Sequence, residues 1–303
     1  MLPYTVYRTP ISLYYFRPLA YNPYMDLEQS CLNEIIRLAL AEDRIEADVT
    51  TASLGAFDGP ARAEVRAKAA GVLSGTGVFR QTMQAVDPDL QVSVARTDGT
   101  ALQPGDLVLA VVGRESSILK GERTALNFLQ RLSGVATLTR AFVEALAPYP
   151  AVLLDTRKTT PGMRYPEKKA VRDGGGTNHR LNLEDMAMVK DNHIEMAGGI
   201  AAAVAAIRLA FPRKKIEVEV KNMIEFETAL HLGVEMIMLD NFPLAEARRA
   251  VALNNGRSKL EISGNVTLEN IAEKAASGVD FVSVGALTHS FRSLDLSLDI
   301  VRA

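Results

Sequence analysis

Residues 152–194 read VLLDTRKTTPGMRYPEKKAVRDGGGTNHRLNLEDMAMVKDNHI. The stretch opens on an apolar run that ends in Asp155-Thr156-Arg157-Lys158. It closes on a second run, Ala187 to Val189, that ends in Lys190-Asp191-Asn192-His193. Both runs have the length and flanking residues of buried strands. Between them lie Arg164, Lys168, Lys169, Arg172, three glycines and Asn178-His179-Arg180, a composition too basic and too punctuated for core. Cations therefore crowd the ends of two strands. A charged connection is ordinarily a solvated one, but a merely solubilising loop needs neither DTRK and VKDNH at strand ends nor a GGG run that allows close backbone approach. The formal net charge of the whole chain is only −2. Such a local concentration predicts a pocket for a multiply anionic small molecule, because guanidinium forks bind carboxylate or phosphate bidentately.

Outward from this stretch the same rhythm repeats. Apolar runs at 216–220, 236–239, 260–262 and 281–284 alternate with helical patterns at 199–210, 225–232, 244–254 and 268–277. Alternating strand and helix implies a parallel sheet with right-handed crossovers, and this number of units predicts an incomplete TIM-like α/β barrel. A barrel gathers its chemistry at the C-terminal ends of its strands. Those ends offer Thr156-Arg157-Lys158, Lys190-Asp191-Asn192, Glu219 with Lys221, Asp240-Asn241, Ser263-Gly264-Asn265 and Gly285-Ala286. In IEVEVKN the period of two puts Glu217, Glu219 and Lys221 on one face, and with Asp240 ending the next strand the acids are assigned to the site. Glu219 and Asp240, facing several cations, suit a divalent metal of the magnesium type. Ser263-Gly264-Asn265 and Ser283-Val284-Gly285 can offer backbone N–H groups to a phosphate, with Asn265 at a position where asparagine tolerates left-handed backbone.

Upstream, residues 32–42 have helical spacing, and 61–69, 90–94 and 106–112 read as strands around a helix at 78–86. Gly75-Thr76-Gly77 lacks the full glycine fingerprint of a nucleotide loop and is assigned a plain turn. Residues 116–146 are helical, with Gly134 expected to break them into two helices. The tail 294–300, LDLSLDI, alternates with period two and is placed as a strand on the N-terminal sheet. The expected organisation is an extension at 1–25, a discontinuous N-terminal α+β sandwich domain at 26–135 plus 288–303, and a catalytic barrel at 136–287. The extension holds six of the eight tyrosines and four prolines, and Met25 is a candidate alternative start.

The composition is that of an ordinary globular protein, at 48% apolar and 23% charged. No window approaches the roughly 18 apolar residues of a membrane span. The balance of 34 basic and 36 acidic residues argues against non-specific nucleic-acid binding. Cys31 is the only cysteine, which excludes an intrachain disulfide or a cysteine-based zinc cluster. A cytoplasmic location is expected.

DTRKTTPG, NHR and KDNHI in this order closely resemble the quinolinate phosphoribosyltransferase family, also called nicotinate-nucleotide pyrophosphorylase (carboxylating). The resemblance covers roughly Leu32 to Ile300. It implies the same barrel and a reaction that joins quinolinate to 5-phosphoribosyl-1-pyrophosphate (PRPP), releasing pyrophosphate and carbon dioxide and giving nicotinate mononucleotide for NAD synthesis. By resemblance, Arg123, Arg157, His179, Arg180 and Lys190 hold the pyridine dicarboxylate, with Thr156 beside them. Lys158 and Lys190 serve the pyrophosphate, Glu219 and Asp240 the Mg2+ and ribose hydroxyls, and Ser263, Gly264, Asn265, Ser283, Val284 and Gly285 the 5-phosphate, with His289 nearby. Lys158, Lys190, Glu219 and Asp240 are the catalytic set. No organic cofactor is required, because the alkylated pyridinium accepts the electrons left by the departing carboxylate. The resemblance further implies a homodimer in which Arg123 completes the partner's site, compatible with higher oligomers.

Three other readings stay open from the residues alone. One is a molybdenum-transport-associated relative of the same fold. Another is a barrel lyase or aldolase that uses Lys158 or Lys190 as a Schiff-base amine. The third is a non-catalytic phosphate-binding or scaffold protein, disfavoured because unneeded buried acids are costly.

Overall fold

The computed structural model describes residues 27–301. The expected extension at 1–25 lies outside them. The chain begins with α1 (Leu27–Glu42), α2 (Val49–Ser53), β1 (Pro60–Ala67), β2 (Gly71–Val72), α3 (Thr76–Val86), β3 (Gln91–Val94), β4 (Ala101–Leu102), β5 (Leu107–Arg114) and α4 (Glu115–Leu146). In β1 the alternation of PARAEVRA buries Ala63, Val65 and Ala67, while Glu64 on the other face pairs with Arg62 and Arg66 at 3.1 and 2.7 Å. Gly75, at φ 99°, starts α3, so Gly75-Thr76-Gly77 is a helix entry.

The barrel half follows as β6 (Val152–Leu154), α5 (Arg164–Asp173), β7 (Ala187–Val189), α6 (Asp191–Ala197), α7 (Ile200–Ala210), β8 (Ile216–Val220), α8 (Met223–His231), β9 (Met236–Asp240), α9 (Leu244–Asn254), β10 (Lys259–Ser263), α10 (Ile271–Ala275), β11 (Phe281–Ser283) and α11 (Ala286–His289). Its six strands run in the order β6-β11-β10-β9-β8-β7, every pair parallel. The sheet is not closed between β6 and β7, where a single parallel bridge joins Leu154 to Thr177. The final strand, β12 (Leu296–Val301), returns to the first sheet and pairs antiparallel with β1, giving the order β12-β1-β5-β3. Leu294, Leu296 and Leu298 thereby enter the N-terminal core. Among the described residues no single helix is long and apolar enough to cross a membrane.

Two expectations are corrected. Gly134 does not break the helix, because α4 runs unbroken for 32 residues, about 48 Å at the usual rise. The glycine instead admits another segment: a Cβ there would lie 2.2 Å from the Arg292 carbonyl oxygen. One helix thus serves two cores, with Leu126 and Leu129 in the first and Leu132, Val135 and Phe142 in the barrel. The basic stretch, read as too charged for core, contains α5, in which Glu167 and Lys168 are fully buried. Its glycines lie against α4, since a Cβ on Gly174 would sit 2.5 Å from the Ala136 carbonyl oxygen.

Gly134→Ala is expected to destabilise the protein by about 1–3 kcal/mol, the usual cost of overpacking. Gly77→Ala, in a helix with no neighbour within 4 Å of the added carbon, should stabilise it by up to about 1 kcal/mol. Urea midpoints of the two variants check this, and equal midpoints would refute the close-packing role of Gly134.

Candidate active site

The site is anchored by Asp155, the first residue beyond β6, whose side chain is fully buried. Its carboxylate accepts from Lys168 Nζ, from Asn178 Nδ2 at 2.6 Å and from the His179 N–H at 2.8 Å. Lys168 Nζ also donates to the His179 carbonyl at 3.0 Å. Burial raises the Asp155 pKa and lowers that of Lys168, each shift opposed by the charge of the other. The pair holds the loop after β6 against the segment 177–180, so Arg157, Lys158, His179 and Arg180 project from a fixed frame.

These side chains line a cavity of about 610 Å³ at the C-terminal ends of the strands. Thr156, Lys190, Glu219, Asp240, Ser263, Gly264, Asn265 and Ser283 line it as well. The strand register puts Glu219, Met238 and Glu261 in one row across β8, β9 and β10, with Asp240 and Ser263 in the row above. β8 is an interior strand, so its acids face the barrel interior and not solvent. Lys190 Nζ donates to Glu219 Oε2. Asn241 and Asn265 both take left-handed backbone, at φ 53° and 50°, and Asn265 Nδ2 donates to Asn241 Oδ1 at 3.0 Å. Gly264 admits no side chain, because a Cβ would lie 2.1 Å from Asn241 Oδ1.

Four of the expected residues stand elsewhere. Val284 is buried and donates its N–H to the Leu154 carbonyl at 2.9 Å, which uses it for strand pairing. Gly285 and His289 sit at the rim: a Cβ on Gly285 would lie 3.0 Å from His289 Nε2 and 3.1 Å from Lys158 Cδ. Arg123 lies on α4 with its side chain 62% exposed, beside Asp43, Arg44 and Lys120 in a separate depression. Several cations of the basic stretch are structural. Lys169 pairs with Asp98 and Asp173, each at 2.7 Å, and Arg172 donates to Asn178 Oδ1.

The cavity also holds residues given no role from the sequence: Asp155 and Asn241, named only at strand ends, and Met188, Met238 and Glu261. Glu217 and Glu261, both fully buried, meet at His179, whose Nε2 lies 3.1 and 3.2 Å from them. The missing signal was available in KLEIS, where Glu261 interrupts an apolar strand as Glu217 does in IEVEV. Burial, the largest influence on His179, would lower its pKa, but the two carboxylates together raise it to about 9. Burial raises the Glu217 pKa. His179 Nδ1 accepts the Arg180 N–H at 2.7 Å, which requires that nitrogen to be bare. In the neutral ring the proton is therefore on Nε2, which faces the two carboxylates.

The cations are only partly answered by protein. Arg180 donates to the Met186 carbonyl at 3.1 Å and to Met188 Sδ at 3.4 Å; burial and then the neighbouring Arg157 lower its pKa. Among the described residues Arg157 Nε and Ser283 Oγ are buried without a hydrogen-bond partner, as are His179 Nε2 and the carboxylate oxygens of Glu217 and Glu261. Polar atoms left unmatched in a cavity are suited to a polar ligand. Glu219 and Asp240 offer hard oxygen donors on adjacent strands, a set that fits magnesium.

The comparisons with known proteins agree with this geometry. A family model described as quinolinate phosphoribosyl transferase, N-terminal domain, matches residues 48–133, and its C-terminal-domain counterpart matches residues 135–299. A Synechocystis protein named probable nicotinate-nucleotide pyrophosphorylase (carboxylating) is 43% identical over 267 residues, 87% of this chain and 90% of its own length. A Bacillus subtilis protein with the same name is 38% identical over 89% of this chain and 93% of its own. The crystal structure of NadC from Streptococcus pyogenes superposes with a TM-score of 0.85 at 42% identity, covering 92% of this chain and all of that one.

A proton held more tightly in the folded than in the unfolded chain stabilises the fold at low pH. That stabilisation is fully present below about 6.5, the ordinary histidine value, and is lost as pH rises through about 9. Thermal melts between those values are expected to show a falling Tm that flattens in His179→Asn. A wild-type Tm independent of pH over this window would contradict the raised His179 pKa.

Proposed function

The chain belongs to the quinolinate phosphoribosyltransferase family, and from that premise we propose that its cavity transfers the phosphoribosyl group of PRPP to quinolinate with loss of carbon dioxide. The products are nicotinate mononucleotide and pyrophosphate, a step of de novo NAD synthesis. The observation that carries this reading is the gathering of Arg157, Lys158, Arg180 and Lys190 in one cavity opposite Glu219 and Asp240. Two carboxylates on one small ring need two opposed sets of donors. Arg157 and Arg180 supply guanidinium forks for them. Met188 and Met238 are the apolar part of the wall and suit the face of an aromatic ring.

Breaking the ribose–pyrophosphate bond builds positive charge on the sugar and negative charge on the departing group. Glu219 and Asp240 face the sugar, and Lys158 and Lys190 face the pyrophosphate, in fixed positions that need no reorganisation. Mg2+ held by Glu219 and Asp240 would neutralise charge on the leaving pyrophosphate. Ser263, Gly264, Asn265 and Ser283 form the corner suited to the 5-phosphate. Once the ring nitrogen is bonded to ribose, the pyridinium stabilises the electron pair left on the adjacent carbon as CO2 departs, and that carbon then takes a proton from water, so the rest of the catalysis is positioning.

The protein acts as a homodimer in this reading. Arg123 is exposed and does not line the cavity of its own chain. Beside it, Val49, Leu54, Phe57 and Leu119 expose an apolar surface, Phe57 at 83%. A two-fold axis through that surface would carry each Arg123 to the other subunit's site. The reaction is placed in the cytoplasm as part of the same reading, since PRPP, which is phosphorylated, does not cross membranes unaided; cell fractionation with an activity assay tests this.

Pyrophosphate release with quinolinate and nicotinate compared is the direct test. Quinolinate should be strongly preferred, because nicotinate leaves cations unpaired; equal rates would refute the site assignment. Arg157→Ala and Arg180→Ala should each lose about 2–5 kcal/mol of transition-state binding, read as kcat/KM. For the dimer, inactive Arg123→Ala is mixed with inactive Lys158→Ala under subunit exchange. A hybrid then has one site with both lesions and one with neither, so up to half of wild-type activity per hybrid should return. No recovery despite verified exchange would mean that Arg123 serves its own subunit or no site.

A further inference from the structure

Glu217 and Glu261 have no part in the roles assigned above. Both are fully buried on interior strands, and among the described residues the only ion-pairing partner of either is His179. An ionised carboxylate held in the interior costs several kcal/mol unless it is well answered. Their neighbours Val218, Val220 and Ile262 show that the same strands fill other buried positions with apolar side chains. Packing alone does not account for two acids here.

The backbone groups and Nδ1 of His179 are hydrogen-bonded to protein, and Nε2 is within ion-pair distance of two carboxylates. Its N–H donates to Asp155 and its carbonyl accepts from Lys168 Nζ. Its Nδ1 accepts the N–H of Arg180, and its Nε2 faces both glutamates. A metal ion among the three side chains would need the Nε2 lone pair, and with Nδ1 already accepting, the ring would have to be an imidazolate. The three side chains therefore form an ion-pair clamp, with Nε2 3.1 and 3.2 Å from the two carboxylates, and not a cation site. Rotation of the ring would release the Arg180 N–H, at the point of the backbone from which the Arg180 guanidinium enters the cavity.

We propose that Glu217 and Glu261 are positioning residues for the pyridine-dicarboxylate subsite: they fix the His179 ring from beneath, and His179 in turn fixes Arg180. The proposal rests on the phosphoribosyltransferase reading given above. In it, His179 offers no free ring nitrogen to the substrate and acts through Arg180. The glutamates serve as acceptors for Nε2–H, so an amide oxygen can replace them and an apolar side chain cannot.

The test is steady-state kinetics on the full chain with both substrates varied. Glu217→Met and Glu261→Met keep the volume without an acceptor, and Glu217→Gln and Glu261→Gln keep an acceptor. The Met variants are expected to raise KM for quinolinate by about tenfold or more, the scale of a small misplacement. KM for PRPP should stay within about twofold, and the Gln variants should return KM for quinolinate to within about threefold of wild type. A folded Met variant with unchanged KM for quinolinate, an equal rise for both substrates, or Gln variants no better than Met would each overturn the proposal. Should a Met variant not fold, the Gln variants decide alone: a tenfold rise in KM for quinolinate refutes it, and a value within threefold supports it. Wild-type protein that does not turn over quinolinate and PRPP would overturn the activity reading and this proposal together, a result distinct from the others.

Discussion

The site depends first on one buried carboxylate. Asp155 takes three hydrogen bonds from Lys168, Asn178 and His179, which come from α5 and from the segment that follows it. Without the Lys168 ammonium the carboxylate would be an unmatched charge in the interior, and without Asp155 so would Lys168, the situation in which removal of one partner costs most. The pair closes the long connection from β6 to β7 into a fixed loop. Arg131 adds a second tie from α4: it donates to Glu167 Oε1 at 2.7 Å, while Glu167 Oε2 accepts the Thr160 N–H at 3.0 Å. The loop that carries Arg157 and Lys158 is thus held at both ends by buried acids.

α4 links this frame to the other half of the molecule. Its first half lies on the antiparallel sheet and its second half on the barrel, and the glycines at 134 and 174 let neighbouring backbone approach without intervening side chains. β12 returns the end of the chain to the first sheet beyond the barrel, so the N-terminal core is completed by residues nearly three hundred positions along. Neither core is closed by a contiguous segment.

Much of this was legible from the sequence. Period-two alternation in PARAEVRA and LDLSLDI marked strands of the first sheet, and the repeated apolar runs marked the parallel one, because burial on one or both faces leaves a direct trace in the residue order. Polar clusters at the strand ends marked the cavity for the same reason. What could not be read was where charge is buried. Lys168 and Glu167 look like solvated residues of a basic helix, and only their partners, thirteen positions upstream at Asp155 and far away on α4 at Arg131, make their burial affordable. Glu261 stood inside what read as an apolar run. Gly134 was misread because helix propensity is local, whereas the close approach of Arg292 to the helix is not.

The cavity itself carries the opposite condition to its frame. Below it the charges are paired: Asp155 with Lys168, while the two glutamates share His179. Within it Arg157 stands close enough to disfavour the charge of Arg180, and Arg157 Nε has no hydrogen-bond partner among the described residues. Like charges brought together in a partly dry site destabilise the empty protein, and a rigid frame is what prevents them from relaxing outward into water. A ligand that supplies two carboxylates relieves that repulsion at both guanidinium groups, and a ligand with one relieves it at one. Selectivity for a dianion therefore follows from how the frame resists the cavity's own charge, and stabilisation by ligand, which grows with the affinity for the folded state alone, is the same constraint seen from the side of the fold.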